Sequence, residues 1–85
     1  MQLSKLRWKC RKGIRELDIL LAKYLEHNFV NLSQKNQDIF IEFTNIDTYQ
    51  LFDIIFNKKS HNSKFIKIIK DLTSIAVRRK NEYKN

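Results

Sequence analysis

The sequence predicts an all-α fold: a single-domain, compact bundle of about five short helices. Apolar residues recur at three- and four-residue spacing along nearly the whole chain, which is typical of amphipathic helices. The 85 residues include no proline and a single glycine, and no repeat or low-complexity linker divides them into separate domains. At 42% hydrophobic residues the chain can bury a small core. We therefore expect one helical domain over residues 1–85, with a core at about 3–78 and a frayed tail at 79–85.

The first two helices flank the single glycine, Gly13. Apolar residues at i, i+3 and i+7, namely Leu3, Leu6 and Cys10, predict a short first helix. Gly13 ends or bends this helix, because glycine adopts positive φ angles without a Cβ penalty. A longer second helix follows, and its apolar positions continue at helical spacing: Ile14, Leu17, Leu21, Tyr24, Leu25 and Phe29.

The remaining three helices are indicated by their caps. Ser33 is the predicted N-cap of the third helix, and Asp47 is that of the fourth. The fourth helix is apolar on most sides, so we expect it to lie centrally in the core. The polar stretch 57–62 is predicted to be a loop, after which Asn62 or Ser63 caps the last helix. The expected apolar stripes of these helices are Ile39, Phe40, Phe43 and Ile46; Leu51, Phe52, Ile54, Ile55 and Phe56; and Phe65, Ile68, Ile69, Leu72, Ile75 and Ala76.

Enzymatic chemistry and cofactor binding are not expected from this composition. His27 and His61 are the only histidines and Cys10 is the only cysteine, so no pair of these residues has the short spacing of a zinc site. One glycine cannot build a G-x-G-x-x-G turn or a Walker loop, which are the backbones that cradle nucleotide phosphates. We therefore expect a binding protein rather than an enzyme, without a metal site or a stably bound cofactor.

The net charge of +8 is concentrated at the two ends of the chain. Residues 1–15 hold six Lys or Arg and no acid, residues 58–85 hold nine bases and two acids, and the middle is acidic. Basic ends suit a polyanion or an acidic protein surface, although an AT-rich genome also produces a composition rich in Lys, Asn and Ile. The sequence contains no predicted membrane span and no secretory signal. A single cysteine fits a reducing compartment, so we expect a cytoplasmic protein.

The segment around Gly13 has two interpretations. If Gly13 directly follows the first helix, Arg11 and Lys12 lie in the last turn of that helix, while Glu16 and Asp18 open the next one. This order of charges would then only complement the helix dipoles. Alternatively, bare backbone at Gly13, flanked by a cation and an exposed Glu16, forms a small docking patch for a partner.

The same segment resembles the succinate dehydrogenase assembly factors, a family of small helical proteins that promote flavinylation, some of which were first described as antitoxins. Their R-G-x-x-E motif, often continued as E-L-D and preceded by a tryptophan, corresponds to residues 12–18 with Trp8 upstream. The ordered matches continue to about residue 57 and include Tyr24-Leu25-Glu26-His27, Leu32-Ser33, Ile39-Phe40 and Asp47 through Asp53. Two positions depart from the family pattern: Lys12 stands for the motif arginine, and Ile54 for a tryptophan in the fourth helix.

The resemblance implies a chaperone-like partner of the flavoprotein subunit of succinate dehydrogenase or fumarate reductase. Such a factor aids covalent attachment of FAD to a histidine of that subunit, so the FAD belongs to the partner. The partner-binding residues that the resemblance implies are Lys12, Gly13 and Glu16, extended by Arg11, Trp8 and His27. Trp8 and His27 could equally pack at the junction of the first two helices. We expect a monomer.

Lys12 keeps the positive charge of the motif arginine but lacks its planar fork of donors. A family contact that needs two parallel hydrogen bonds would therefore have to come from Arg11.

Two other functions fit the composition. The pI of about 9.8 and the basic run Arg78-Arg79-Lys80 suggest a nucleic-acid-binding helical domain, which would lose affinity steeply as salt rises. An antitoxin-like protein-binding module would instead be found with a protein partner. Of the three, the assembly factor accounts for the most residues, and nucleic acid is not the expected partner.

Overall fold

Five α-helices and two short 3-10 helices follow one another in this computed structural model, which describes residues 3–82. The α-helices are α1 (Leu3–Lys9), α2 (Arg15–His27), α3 (Gln34–Thr44), α4 (Thr48–Phe56) and α5 (Ile66–Glu82). The 3-10 helices, Phe29–Asn31 and Ser63–Phe65, precede α3 and α5. The all-α bundle predicted from the sequence is confirmed. Helix α5 continues to Glu82, whereas the sequence predicts fraying from residue 79; residues 83–85 of that predicted tail lie outside the described residues.

Helix α2 forms the centre of the core. Five of its side chains are buried: Leu17, Leu20, Leu21, Tyr24 and Leu25. Helix α5 packs against it in the antiparallel direction, since the first turn of α2 meets the last part of α5. The Tyr24 ring stacks on Phe40 of α3 with a centroid distance of 4.7 Å, which joins α2 to a third helix.

Helix α4 is less central than its sequence predicts. Its buried residues are Leu51, Ile54 and Ile55, so only one of its faces enters the core. Phe52 and Phe56 remain partly exposed, and their rings pack against each other at a centroid distance of 4.7 Å. A pair of aromatic residues one turn apart can cover part of its own apolar surface, and this explains why the apolar composition of α4 overstated its burial.

The helix starts follow the predicted capping residues. The Ser33 hydroxyl accepts a hydrogen bond from the Asn36 N–H at the start of α3. The Asp47 carboxylate accepts from the N–H groups of Tyr49 and Gln50 at the start of α4. Asn62, one of the two predicted caps for the last helical segment, accepts from the Lys64 N–H. Over residues 3–82, no helix is both long enough and apolar enough to cross a membrane.

Candidate docking surface around Gly13

Gly13 lies in the turn between α1 and α2. Helix α1 ends at Lys9, and the Cys10 N–H still donates to the Leu6 carbonyl at 3.1 Å. Gly13 is therefore not the residue that directly follows α1, so the first interpretation is wrong on this point. The basic residues in the last turn of α1 are Arg7 and Lys9 rather than Arg11 and Lys12. Glu16 and Asp18 do occupy the first turn of α2, as predicted.

The backbone at Gly13 has a φ angle of +88°. An L-residue with a side chain rarely adopts this conformation, which explains why the only glycine of the chain stands here. A Cβ placed on Gly13 would meet no atom within 4 Å other than those of its two chain neighbours. The glycine is thus required by the turn and not by internal crowding, and the space above it is open to a partner.

The Asp18 side chain stabilises this turn through hydrogen bonds to its backbone. Its carboxylate accepts hydrogen bonds from the backbone N–H of Lys12 at 2.6 Å and of Gly13 at 3.2 Å. The N-cap of α2 is Ile14, whose side chain accepts no hydrogen bond. The sequence assigned Asp18 only a favourable place in the helix dipole. The sequence does contain a hint that Asp18 bonds to the turn. Because the N-cap residue Ile14 has no polar side chain, a carboxylate in the first turn of α2 is left to accept hydrogen bonds from the preceding backbone.

Lys12 points into the bundle. Its ammonium donates to the carbonyl oxygen of Thr44, the last residue of α3, and the Lys9 ammonium donates to Asn45 Oδ1 at 2.8 Å. Two cations thus lie at the C-terminus of α3, where they complement the negative end of the helix dipole. Partial burial lowers the pKa of Lys12, and the nearby Lys9 ammonium acts in the same direction. Negative charge on the Cys10 thiolate or the Asp18 carboxylate acts in the opposite direction. A single carbonyl acceptor needs no planar fork, so lysine can fill this position.

Glu16 is paired with a residue from the other end of the chain. Arg79 donates from Nε to Oε2 of Glu16 at 3.2 Å and from Nη2 to Oε1 at 3.4 Å. The Glu16 side chain keeps 52% of its surface exposed, while that of Arg79 keeps 14%. The hydrogen bond from Arg79 lowers the pKa of Glu16. Arg79 was not among the predicted site residues, and no local pattern connects two positions 63 residues apart.

Trp8 and Arg11 form an exposed pair beside the turn. The Trp8 ring is 72% exposed, so the alternative in which it packs at the helix junction is wrong. The Arg11 guanidinium carbon lies 5.9 Å from the centroid of that ring, at the outer range of a cation–π contact. Both side chains line a groove of about 600 Å³ between α1 and α2. The apolar part of this groove comes from Cys10, Ile19, Ala22 and Leu25.

His27 lies away from the other predicted site residues. It is the last residue of α2, eleven positions after Glu16, which places it about 16 Å along the helix axis. Its ring is exposed and its Nε2 lies 3.9 Å from Glu26 Oε2. The His27 ring therefore does not pack at the junction of the first two helices, and it lies about three helical turns from the turn that carries Gly13.

The groups near the turn are suited to binding more than to chemistry. Cys10 is buried, and this burial raises the pKa of its thiol to about 11. The thiolate that a nucleophile requires is therefore scarce at neutral pH. Over the described part of the chain, no group of three or more His, Cys, Asp or Glu side chains is placed to hold a metal ion. The surface around the turn presents the exposed Trp8 ring, the accessible backbone at Gly13 and the Glu16 carboxylate.

The family model and the individual relatives that match this chain all belong to one protein family. Residues 4–76 match a protein-family model described as the flavinator of succinate dehydrogenase. The chain is similar to the FAD assembly factor SdhE of Coxiella burnetii, with 34% identity over 74 residues that cover 86% of this chain and 90% of the relative. The SdhE of Wigglesworthia glossinidia brevipalpis is 37% identical over 68 residues, covering 79% and 81% of the two chains. No solved structure matches the chain. The chain therefore belongs to the succinate dehydrogenase flavinator family, as its resemblance around Gly13 predicted.

Proposed function

We propose that this protein binds the flavoprotein subunit of succinate dehydrogenase and promotes the covalent attachment of FAD to it. The observation that carries the proposal is the family match over residues 4–76, which contains the whole turn from Lys12 to Glu16. Its relatives are named FAD assembly factors. Fumarate reductase, whose flavoprotein subunit the resemblance also implies, is the second client that we propose.

The protein acts in this proposal as a binding factor and not as the catalyst. The partner supplies the FAD and the histidine that becomes linked to it, and no cofactor is held stably by this chain. Holding the two reacting groups of the partner in one geometry can accelerate a reaction greatly without any chemical group from the factor. A buried Cys10 thiol of raised pKa fits this division of roles. One free, buried cysteine also fits our expectation of a cytoplasmic monomer.

The docking surface in this proposal consists of Trp8, Arg11, Gly13 and Glu16. Exposed tryptophan and arginine side chains are the residue types that most often dominate the binding energy of an interface. Gly13 contributes open space, since only atoms of its two chain neighbours would lie within 4 Å of a Cβ at this position. Lys12 supports this surface from inside through its contact with Thr44.

The direct test is co-expression of the flavoprotein subunit with and without this protein, followed by flavin fluorescence of the denatured subunit on a gel. We expect covalent flavin to rise strongly when the protein is present. Equal fluorescence in both lanes would exclude the assembly function.

A matched pair of variants locates the surface in the same assay. Trp8→Ala removes an aromatic ring that is 72% exposed beside the turn, and Tyr49→Ala removes one that is 74% exposed on α4. Each variant loses little buried area, so both should keep the helicity of the wild type. We expect only Trp8→Ala to reduce covalent flavin; equal effects of the two variants would place the docking surface elsewhere.

A further inference from the structure

A second groove lies on the flank of α2 that faces α5. It measures about 500 Å³ and is lined by Lys23, His27 and Asn28 from the second half of α2 and by Ile75, Arg78 and Arg79 from α5. The two helices run antiparallel here, and each contributes basic side chains to one wall of the groove. None of the lining residues is acidic.

The charges of this groove are arranged for an anion. Lys23 contributes one cation from α2, and Arg78 contributes one from α5. Arg79, the third cation, is bonded to Glu16. Like charges gathered in one concave surface focus the electrostatic field and raise the local concentration of a ligand of opposite sign. Arginine and lysine side chains of this kind bind carboxylates through charge-assisted hydrogen bonds.

Arg79 makes the groove continuous with the surface around Gly13. Its side chain lines the groove, while its guanidinium holds the Glu16 carboxylate. A partner that contacts Glu16 therefore reaches the edge of the groove along the same face of α2. Residues 16, 23 and 27 lie on that face because their separations are close to whole numbers of helical turns.

We propose that this groove, lined by Lys23, His27, Arg78 and Arg79, binds an acidic segment of the flavoprotein client. This proposal rests on the proposed function. Carboxylates of Asp or Glu side chains in that segment would face Lys23 and Arg78. The volume of about 500 Å³ accommodates a few side chains of a peptide. A nucleic acid fits less well, because its affinity depends on many phosphate contacts along a continuous basic track, whereas this groove presents Lys23, Arg78 and an Arg79 that is already bonded to Glu16.

The test compares two double variants of equal charge change. Lys23→Glu with Arg78→Glu reverses both walls of the groove, whereas Lys35→Glu with Lys70→Glu reverses two exposed lysines outside it. Binding to the purified flavoprotein subunit is measured for each variant and for the wild type at low and at moderate salt. Circular dichroism establishes that all three proteins are folded, and Lys23→Gln with Arg78→Gln serves as a milder version of the groove variant.

We expect the groove variant to weaken binding at low salt by about tenfold or more, and to remove much of the salt dependence, because interfacial charge pairs contribute both to affinity and to association rate. The control variant should stay within about twofold of the wild type, since its charges lie outside the interface. If the wild type binds and both variants bind equally well, the groove proposal is overturned while the assembly function stands. If the wild type does not bind the flavoprotein subunit at all, the assembly function and the groove proposal both fail.

A direct probe distinguishes the ligand classes. A fluorescein-labelled hexaglutamate peptide should bind the wild type, be displaced by the flavoprotein subunit, and fail to bind the groove variant. Binding of a labelled DNA duplex that depends on Lys23 and Arg78, together with no binding of the hexaglutamate, would overturn the proposal in favour of a nucleic-acid partner.

Discussion

Arg79 near the end of α5 donates two hydrogen bonds to the carboxylate of Glu16 in the first turn of α2. The family motif residue is thereby held by a side chain beyond residue 76, where the family match ends. The last turns of α5 consequently take part in shaping the surface around Gly13.

The Glu16–Arg79 pair gives folding stability a dependence on pH. The hydrogen bond from Arg79 lowers the pKa of Glu16 in the folded protein. A carboxylate of lowered folded pKa stabilises the fold above its unfolded pKa, and this contribution is lost as pH falls through the folded pKa. Because Glu16 is half exposed, we expect Glu16→Gln to lower the free energy of unfolding at neutral pH by less than about 1 kcal/mol.

The measurement is urea denaturation of the wild type and Glu16→Gln over a series of pH values. The difference between them should shrink towards zero in acid, below the ordinary carboxyl range. A difference that stays constant from neutral to acidic pH would argue against the ion pair in solution.

Substitution of Gly13 should destabilise the turn through its backbone angle. At a φ of +88° an alanine is strained although no atom opposes its Cβ, so we expect Gly13→Ala to cost about 1–2 kcal/mol. Gly13→Asn should cost less, because asparagine tolerates positive φ better than alanine does. Thermal denaturation measures both variants. Equal destabilisation by the two substitutions would contradict the assignment of this glycine to its backbone conformation.

Asp18 should contribute more to folding stability than its place in the first turn of α2 suggests. Asp18→Ala removes the acceptor for the N–H groups of Lys12 and Gly13, and we expect a loss of about 1–3 kcal/mol. Asp18→Asn retains one side-chain oxygen and should lose less. Denaturation gives the energies, and faster hydrogen exchange at the Lys12 and Gly13 amides locates the effect. As a control, Asp38→Ala removes a carboxylate that accepts a hydrogen bond from the exposed Gln34 side chain, and it should be nearly neutral.

Removal of the Lys12 ammonium should loosen the end of α3. Lys12→Met keeps most of the aliphatic stem but leaves the Thr44 carbonyl without this donor, at a cost of about 0.5–1.5 kcal/mol. Lys9→Met removes an exposed hydrogen bond to Asn45 and should cost less. Denaturation combined with amide exchange at residues 41–45 tests this order. A larger effect of Lys9→Met would show that the cap of α3 depends on the outer lysine.

Cys10 should be unreactive in the folded protein. Burial raises the pKa of its thiol from 9.0 to about 11, which lowers the thiolate fraction at neutral pH about 100-fold. We expect slow alkylation by iodoacetamide in buffer and rapid alkylation in denaturant, both followed by mass spectrometry. Labelling at similar rates in the two conditions would contradict the buried position of this thiol.

The parts of the fold that depend on neighbouring residues could be predicted from the sequence. Ser33 and Asp47 cap helices through bonds to residues two or three positions away, and the apolar spacing located the buried face of α2. The burial of α4 was overestimated, because composition does not reveal that Phe52 and Phe56 cover each other at the edge of the core.

The candidate site also combines residues that the sequence could identify with contacts that it could not. Its motif residues Gly13 and Glu16 could be recognised locally, whereas the pairing of Glu16 with Arg79 depends on how α5 packs against α2. The separation of His27 from the turn also follows from geometry, since eleven helical residues span about 16 Å.

The turn that carries Gly13 is tied to the rest of the bundle at two places: Asp18 holds its backbone, and Lys12 anchors it to the end of α3. A loop fixed in this way has little conformational freedom left to lose when a partner arrives. Binding through it therefore carries a small entropic penalty for ordering, and a modest contact area can give useful affinity. In the proposed function, affinity from a small rigid surface would also be easier to reverse than affinity from a large one once FAD is attached.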